Sequence, residues 1–271
     1  MITILKAPPF ATVQDRGRCG HRSIAVPPSG AMDPEALERA NQLVGNAAGT
    51  AAIEWGIGTG RLRLSPALDA AVAGADVLAR RERDELIVES FRAGAWAYVA
   101  VAGGVDVPEV LGSRSTCLPG RFGGLEGRLL RTGDVLKTGS APAGGARTAI
   151  ASTATRQEGT PFRVLPGPDL ALVGTAVWED FLEAEWTVSR AVSRAGYRLD
   201  RPALPVEGAP ELPSAPVCPG TVQLPPGGRP IVLMPDGPTV GGYPRIAVLI
   251  SSELGRFAQR RPGEPVRFAP P

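Results

Sequence analysis

The sequence predicts a mostly β protein with a few short helices, and two observations carry that expectation. Glycine and proline are abundant, 34 and 28 of 271 residues. That much punctuation cuts a chain into the short segments that build barrels and sandwiches rather than bundles. The runs left between these residues are short and rich in β-branched or aromatic side chains.

Strands are expected at 2–5, 62–64, 70–73, 96–102, 231–234 and 246–250, each bounded by Gly or Pro. The clearest helix is expected over 34–44. Asp33 suits its N-cap, Pro34 its first position, and Gly45 its end. Leu37, Ala40 and Val44 then fall on one face. A second helix is expected at about 177–185, with Trp178, Phe181 and Leu182 on one side. A third begins near Ser251 and carries Leu254, Phe257 and Ala258.

The segment 140–161 is rich in Ala, Gly, Thr and Pro and reads as a linker or long loop. It divides the chain into domains at 1–139 and 162–271. A weak internal echo supports two related halves. Arg131-Thr132-Gly133-Asp134 closes the first part and Arg261-Pro262-Gly263-Glu264 the second. Arg92-Ala93-Gly94 is a looser third copy. Each reads as a Gly turn feeding a strand.

Composition excludes several functions. The net charge is +2, so no global field points to nucleic acid or an anionic membrane. Of 29 basic side chains only Lys6 and Lys137 are lysine, and no phosphate-binding Gly-Lys-Ser/Thr loop occurs, which excludes a Walker-type ATPase. Cys19, Cys117 and Cys218 are far apart, which argues against a zinc site or a disulfide framework. No metal site is expected. The N-terminus has no signal-peptide pattern and no run is long enough to span a bilayer, so the expected location is cytoplasmic. The single histidine, His21, lies between Arg18 and Arg22. No Gly-x-Ser-x-Gly elbow accompanies it, so a hydrolase triad is not expected.

What remains is a set of rigid polar loops. Val26-Pro27-Pro28-Ser29-Gly30-Ala31-Met32-Asp33-Pro34 prescribes its backbone path tightly. Val13-Gln14-Asp15-Arg16-Gly17-Arg18 reads as a polar turn. Leu111-Gly112-Ser113-Arg114-Ser115-Thr116 offers a guanidinium among hydroxyls, suited to a carboxylate or phosphate, or equally a capped loop. Gly123-Gly124-Leu125-Glu126-Gly127-Arg128 fits either close ligand approach or a tight turn. In the second half, Ser193-Arg194-Ala195-Gly196-Tyr197-Arg198 sets two arginines and a tyrosine around a glycine. Gln223 stands alone in an apolar strand, where its amide needs a buried partner or faces a site. Thr239-Val240-Gly241-Gly242-Tyr243-Pro244-Arg245 combines a Gly-Gly hinge with Tyr and Arg. Such loops favour substrate positioning and electrostatic stabilisation over covalent catalysis.

These strings resemble, in order and over nearly the whole chain, the biotin-dependent carboxyltransferase-like family. The matching segments are 12–17, 26–34, 40–46, 101–106 with Pro108, 110–116, 123–128, 196–199, 219–225 and 239–246. The family includes the second subunit of allophanate hydrolase-like pairs and the C component of bacterial 5-oxoprolinase. An older name in it denotes an antagonist of a sporulation-kinase inhibitor. The resemblance implies two cyclophilin-like β-barrel domains. It also implies pairing with a sister subunit of the allophanate hydrolase subunit 1 or 5-oxoprolinase B type, with the active site where the two meet. In one activity the pair works with a third subunit, of the 5-oxoprolinase A type, as an ATP-dependent 5-oxoprolinase. In another it moves a carboxyl group from carboxybiotin to urea. Neither Lys has the neighbouring Met of a biotinyl domain, so the oxoprolinase reading is preferred. Biotin belongs only to the alternative, and a non-catalytic regulator of the sister subunit is a third. The isolated chain is expected to be inactive.

On this reading Arg114, Gln223, Tyr243 and Arg245 are the expected catalytic groups. Asp15, Ser29, Ser115, Arg194, Tyr197 and Thr239 are expected to bind a small amide substrate. Two departures matter. The loop 79–84 looks irregular beside the family's usual Gly turn. Relatives often carry Lys where this chain has Arg245, and Arg supplies charge but no proton at neutral pH.

Overall fold

The computed structural model describes residues 1–140, 147–152, 159–201, 203, 204 and 212–271. The chain forms two compact units. One comprises Met1–His21 with Pro28–Arg156, the other Arg22–Pro27 with Gln157–Pro271.

The first unit contains β1 (Ile2–Lys6), β2 (Ala11–Gln14), α1 (Pro34–Leu43), β3 (Ala52–Gly56), β4 (Gly60–Leu64), β5 (Ala70–Glu82), β6 (Glu85–Val101), β7 (Val105–Asp106), β8 (Val135–Thr138) and β9 (Thr148–Ser152). The strand order is β2-β3-β6-β4-β1-β8-β7, with β5 on β6 and β9 on β5. The Val105 N–H of edge strand β7 donates to the Ala51 carbonyl at the start of β3, which draws the far edges of the sheet together. The sheet is therefore barrel-like and nearly closed.

The α1 helix forms as its sequence dictates. Asp33 Oδ1 accepts from Ala36 N at 3.1 Å and Pro34 occupies the first turn. Ala36, Leu37 and Ala40 are fully buried, and the helix packs on β5 and β6. Small residues there let the helix approach: a Cβ on Gly74 would meet Ala36 Cβ at 3.2 Å.

Two sequence expectations give way here. The 79–84 stretch is mostly strand, because β5 runs to Glu82 and pairs with β6 as far as Glu85. The hairpin turns at Arg83, which takes the left-handed φ of 53° without a glycine. Within 140–161, β9 is a strand paired in parallel with β5 from Ala70↔Thr148 to Gly74↔Ser152. Asp69 Oδ1 anchors its start by accepting from Arg147 N at 2.6 Å. The rest of that expected linker includes 141–146 and 153–158, which lie outside the described residues.

The second unit contains β10 (Phe162–Pro166), α2 (Leu170–Val173), α3 (Thr175–Glu183), β11 (Trp186–Val192), β12 (Gly196–Asp200), β13 (Ala215–Pro216), β14 (Thr221–Gln223), β15 (Ile231–Leu233), β16 (Val240–Gly241), β17 (Arg245–Leu249), α4 (Leu254–Ala258), β18 (Pro265–Val266) and β19 (Phe268–Ala269). The main sheet runs β18-β11-β12-β15-β14-β17-β10-β19. Its two edge strands are separated in sequence by Arg267 alone. One five-residue segment thus closes both ends, pairing Val266 with Trp186 and Phe268 with Phe162. The core is aromatic. Phe181 stacks on Phe268 at 4.7 Å and Phe162 meets Phe257 edge-on at 5.2 Å. Each such ring contributes roughly 1.5–3 kcal/mol through burial.

The internal echo is realised in detail at two of its three copies. Asp134 N donates to Arg131 O at 3.1 Å and Glu264 N to Arg261 O at 3.0 Å. In both turns the carboxylate accepts from the backbone N–H of its own arginine, at 2.7 and 3.1 Å. The third copy differs: Gly94 (φ 76°) lies inside β6, at an irregularity in its pairing with β5.

Candidate functional site

In the first unit, Asp15 gathers the loop that follows Val110. Its Oδ1 accepts from Ser113 Oγ (2.6 Å), Ser115 Oγ (2.5 Å) and Gly17 N (2.8 Å). Its Oδ2 accepts from Arg114 N at 2.6 Å. Asp15 N in turn donates to Ser115 Oγ at 2.9 Å. The Ser29 loop lies against the same turn: Arg18 N donates to Pro28 O at 2.8 Å and Ala31 N to Asp15 O at 3.0 Å. Only glycine fits at this crossing, since a Cβ on Gly30 would stand 2.7 Å from Gly17 N.

Ser29 is held in the left-handed region (φ 53°) and is 4% exposed. Its Oγ has no hydrogen-bond partner among the described residues. A strained residue with an unmet buried hydroxyl is a common feature of binding sites. The Arg114 backbone belongs to this cluster, but its side chain turns to Glu109 and Asp106.

Three supports were not anticipated. Arg18 is buried, donates from Nη2 to Ser115 O at 2.5 Å and covers the Phe122 ring at 4.9 Å. Glu54, fully buried on β3, accepts at Oε2 from Met32 N and Tyr98 Oη, both at 2.8 Å. Tyr98 Oη accepts in turn from Asp33 N at 2.9 Å. Burial, then the charges of Glu54 and Asp33, push the Tyr98 phenol well above its usual range, so it stays a donor. The sequence signal for Glu54 was a lone acid in the apolar run Ala51-Ala52-Ile53-Glu54-Trp55, the same kind of signal as Gln223.

In the second unit, the residues around the end of β17 come together. Gln223 on β14 is in register with Arg245 on β17. It is 4% exposed and its Nε2 has no partner among the described residues. The backbone closes over it: a Cβ on Gly241 would lie 2.3 Å from that Nε2. Thr239 is buried and its carbonyl accepts from Val217 N at 3.1 Å. Tyr243 is 45% exposed.

Arg245 is held in place by Asp169. Nε and Nη2 donate to the two carboxylate oxygens at 2.6 and 2.9 Å, and Arg245 N adds a third bond at 3.0 Å. Arg245 Nη1 also donates to Pro216 O at 2.9 Å. Hydrogen bonding to the guanidinium lowers the Asp169 carboxyl and raises Arg245.

Arg194 and Tyr197 play other parts. Arg194 is 2% exposed and forms a bidentate pair with Asp236 at 2.9 and 3.1 Å. Tyr197 is equally buried and its hydroxyl donates to Ala258 O at 2.8 Å. Both tie the loop and barrel together from within.

Two loop clusters thus exist, one in each unit, and each includes a buried polar atom without a hydrogen-bond partner among the described residues. No group of three or more His, Cys, Asp or Glu suited to a metal occurs among the described residues. No described helix is long and apolar enough to cross a membrane.

Comparison with known proteins places this architecture. The chain is 38% identical over 286 aligned positions to the 5-oxoprolinase C component of Escherichia coli (strain K12), covering 99% of this chain and 90% of that protein. It is 36% identical to the corresponding 5-oxoprolinase C component of Haemophilus influenzae, with the same coverages. The structure matches the urea amidolyase of K. lactis with a TM-score of 0.86 at 29% identity, over 99% of this chain but only 18% of that one. Residues 24–270 match the family model described as carboxyltransferase domain, subdomain A and B. The chain therefore belongs to the carboxyltransferase domain, subdomain A and B, family.

Proposed function

We propose that this chain is the C-type subunit of a multi-subunit, ATP-dependent 5-oxoprolinase. The observation that carries this reading is the full-length similarity to the C component of a bacterial 5-oxoprolinase. The balanced reaction opens the lactam of 5-oxoproline to glutamate and hydrolyses ATP to ADP and phosphate, consuming one water for each bond broken. The substrate site is shared with a sister subunit of the B type, and a third subunit of the A type completes the enzyme.

The roles follow from the geometry. The unmet Gln223 Nε2 donates to the lactam carbonyl, an interaction that strengthens as charge builds on that oxygen. Arg245, fixed by Asp169, supplies positive charge for the substrate carboxylate or a phosphoryl group and keeps its proton. Tyr243 and Thr239 each lie two residues in sequence from Gly241, whose backbone meets the Gln223 amide. In the first unit Ser29 offers its hydroxyl, while Asp15 and Ser115 fix the loop and the Arg114 guanidinium pairs with Glu109 and Asp106. Arg194 and Tyr197 act as struts.

The test is ADP release by this chain mixed with its purified sister and third subunits. Release that requires 5-oxoproline and all three proteins supports the reading; a stable complex with no such release overturns it. The fold match to urea amidolyase supports a second reading, carboxyl transfer from carboxybiotin to an amide. That reading requires carboxybiotin-dependent carboxylation of urea by the same complex.

A further inference from the structure

The first unit also carries a groove of about 640 Å³ between residues 7–9 and the 118–132 segment. Pro8, Pro9, Leu118 and Leu129 give it an apolar lining, and Arg121 and Arg131 reach it as well. A third arginine in the lining, Arg128, is neutralised by Asp134 at 2.8 and 3.0 Å and by Glu126 at 3.0 Å. Arg121 and Arg131 differ from it. Among the described residues neither guanidinium makes an ion pair or a side-chain hydrogen bond.

The wall that holds Arg121 is built in advance. Arg121 (φ 54°), Glu126 (φ 57°) and Gly127 (φ 65°) are all left-handed. The Cys117 and Phe122 backbones bridge, and a Cβ on Gly127 would lie 2.1 Å from the Arg121 carbonyl carbon. The loop is folded tightly on itself, so Arg121 starts from a fixed backbone.

Size and charge together select the ligand. Two open guanidiniums over an apolar surface suit an anion with several oxygens and a flat apolar body. A single-ring amide is far too small for this groove, which falls within the roughly 300–1,000 Å³ of sites for larger ligands. We propose that the groove binds a nucleoside phosphate, with Arg121 and Arg131 on the phosphates and the base against Pro8, Pro9 and Leu118. Naming ATP as that ligand rests on the oxoprolinase reading; the binding itself does not.

The test is titration of the full chain with a fluorescent ADP analogue, with and without Mg²⁺, against the double variant Arg121→Glu/Arg131→Glu. Both side chains are exposed, so the variant is expected to keep the wild-type melting temperature. The expected result is saturable binding, displaced by ADP and not by 5-oxoproline, and weakened at least about tenfold in the variant through loss of two charge-assisted contacts. Absence of saturable binding, or equal binding by the variant, overturns the proposal. The same proteins are then assayed in the three-subunit mixture. Undiminished 5-oxoproline-dependent ADP release by the variant overturns the groove as the site of the ATP consumed and leaves the oxoprolinase reading intact. Arginine-dependent binding by a chain whose complex releases no ADP does the reverse.

Discussion

In the first unit the carboxylate of Asp15 gathers only neutral donors, two serine hydroxyls and two backbone N–H groups. In the second unit the loop carboxylates meet guanidiniums instead: Asp236 with Arg194, Asp169 with Arg245, and Glu253 with Arg163 and Arg256. Neutral donors cost little to desolvate and hold a loop by geometry. An ion pair holds by charge and leaves a large penalty when one partner is removed. The two clusters are thus held by means that fail differently. The buried polar atoms without a hydrogen-bond partner among the described residues include Ser29 Oγ in one and Gln223 Nε2 in the other. A buried polar group without a partner costs about 1–3 kcal/mol, so its retention in both units marks where a ligand is expected.

The sharpest way to break this comparison is Arg194→Ala. It strands the buried Asp236 carboxylate, and the expected loss is about 3–5 kcal/mol in a urea melt. The double replacement Arg194→Met/Asp236→Leu is expected to recover most of that loss. A single-variant loss below about 1 kcal/mol, the range of an exposed pair, would show that the clamp carries no weight.

Asp15→Asn comes next. The new amide keeps one acceptor but points N–H groups at donors that are already N–H or committed hydroxyls. The expected cost is about 1–3 kcal/mol, read as a lower melting temperature, together with reduced ADP release from the complex. Unchanged stability would mean that the hydroxyls simply turn away and that Asp15 does not organise the loop.

The smallest effect is an acid limb in the stability profile. Hydrogen bonds from arginine lower the folded values of Asp169 and Asp134. Burial raises Glu253, but its bonds to Arg163 and Arg256 outweigh that and leave it lowered too. The unfolded chain therefore binds protons first as pH falls. Stability from these pairs is complete above the ordinary carboxylate value of about 4 and declines as pH drops below it toward the folded values. Arg245→Gln is expected to make that limb shallower in melts between neutral and strongly acidic pH. An unchanged limb would assign the acid sensitivity elsewhere.

How much of this was legible in the sequence depended on whether the signal was local. The α1 helix was, because Asp33, Pro34 and the spacing of Leu37, Ala40 and Val44 lie within a dozen residues. The paired Gly turns at Gly133 and Gly263 were legible for the same reason. Strands β2 and β3 were not, since all their residues are buried and no polar alternation marks them. The candidate loops were visible as strings, yet their roles depended on distant partners. Asp169 lies 76 residues from Arg245, and Asp236 lies 42 from Arg194. No spacing rule connects such pairs. Tyr197 read as a loop tyrosine beside Gly196, but period-two strand geometry turned its ring inward.

The most direct test of the account is Gln223→Leu, measured for both stability and activity. The change removes the amide and keeps a side chain of similar size. If Gln223 Nε2 is held unmet for the substrate, the variant melts at or above the wild-type temperature, while 5-oxoproline-dependent ADP release by the complex is lost. Retained release, or a variant destabilised by more than about 1 kcal/mol, the lower bound for losing a needed buried hydrogen bond, would contradict the account and make Gln223 a structural residue.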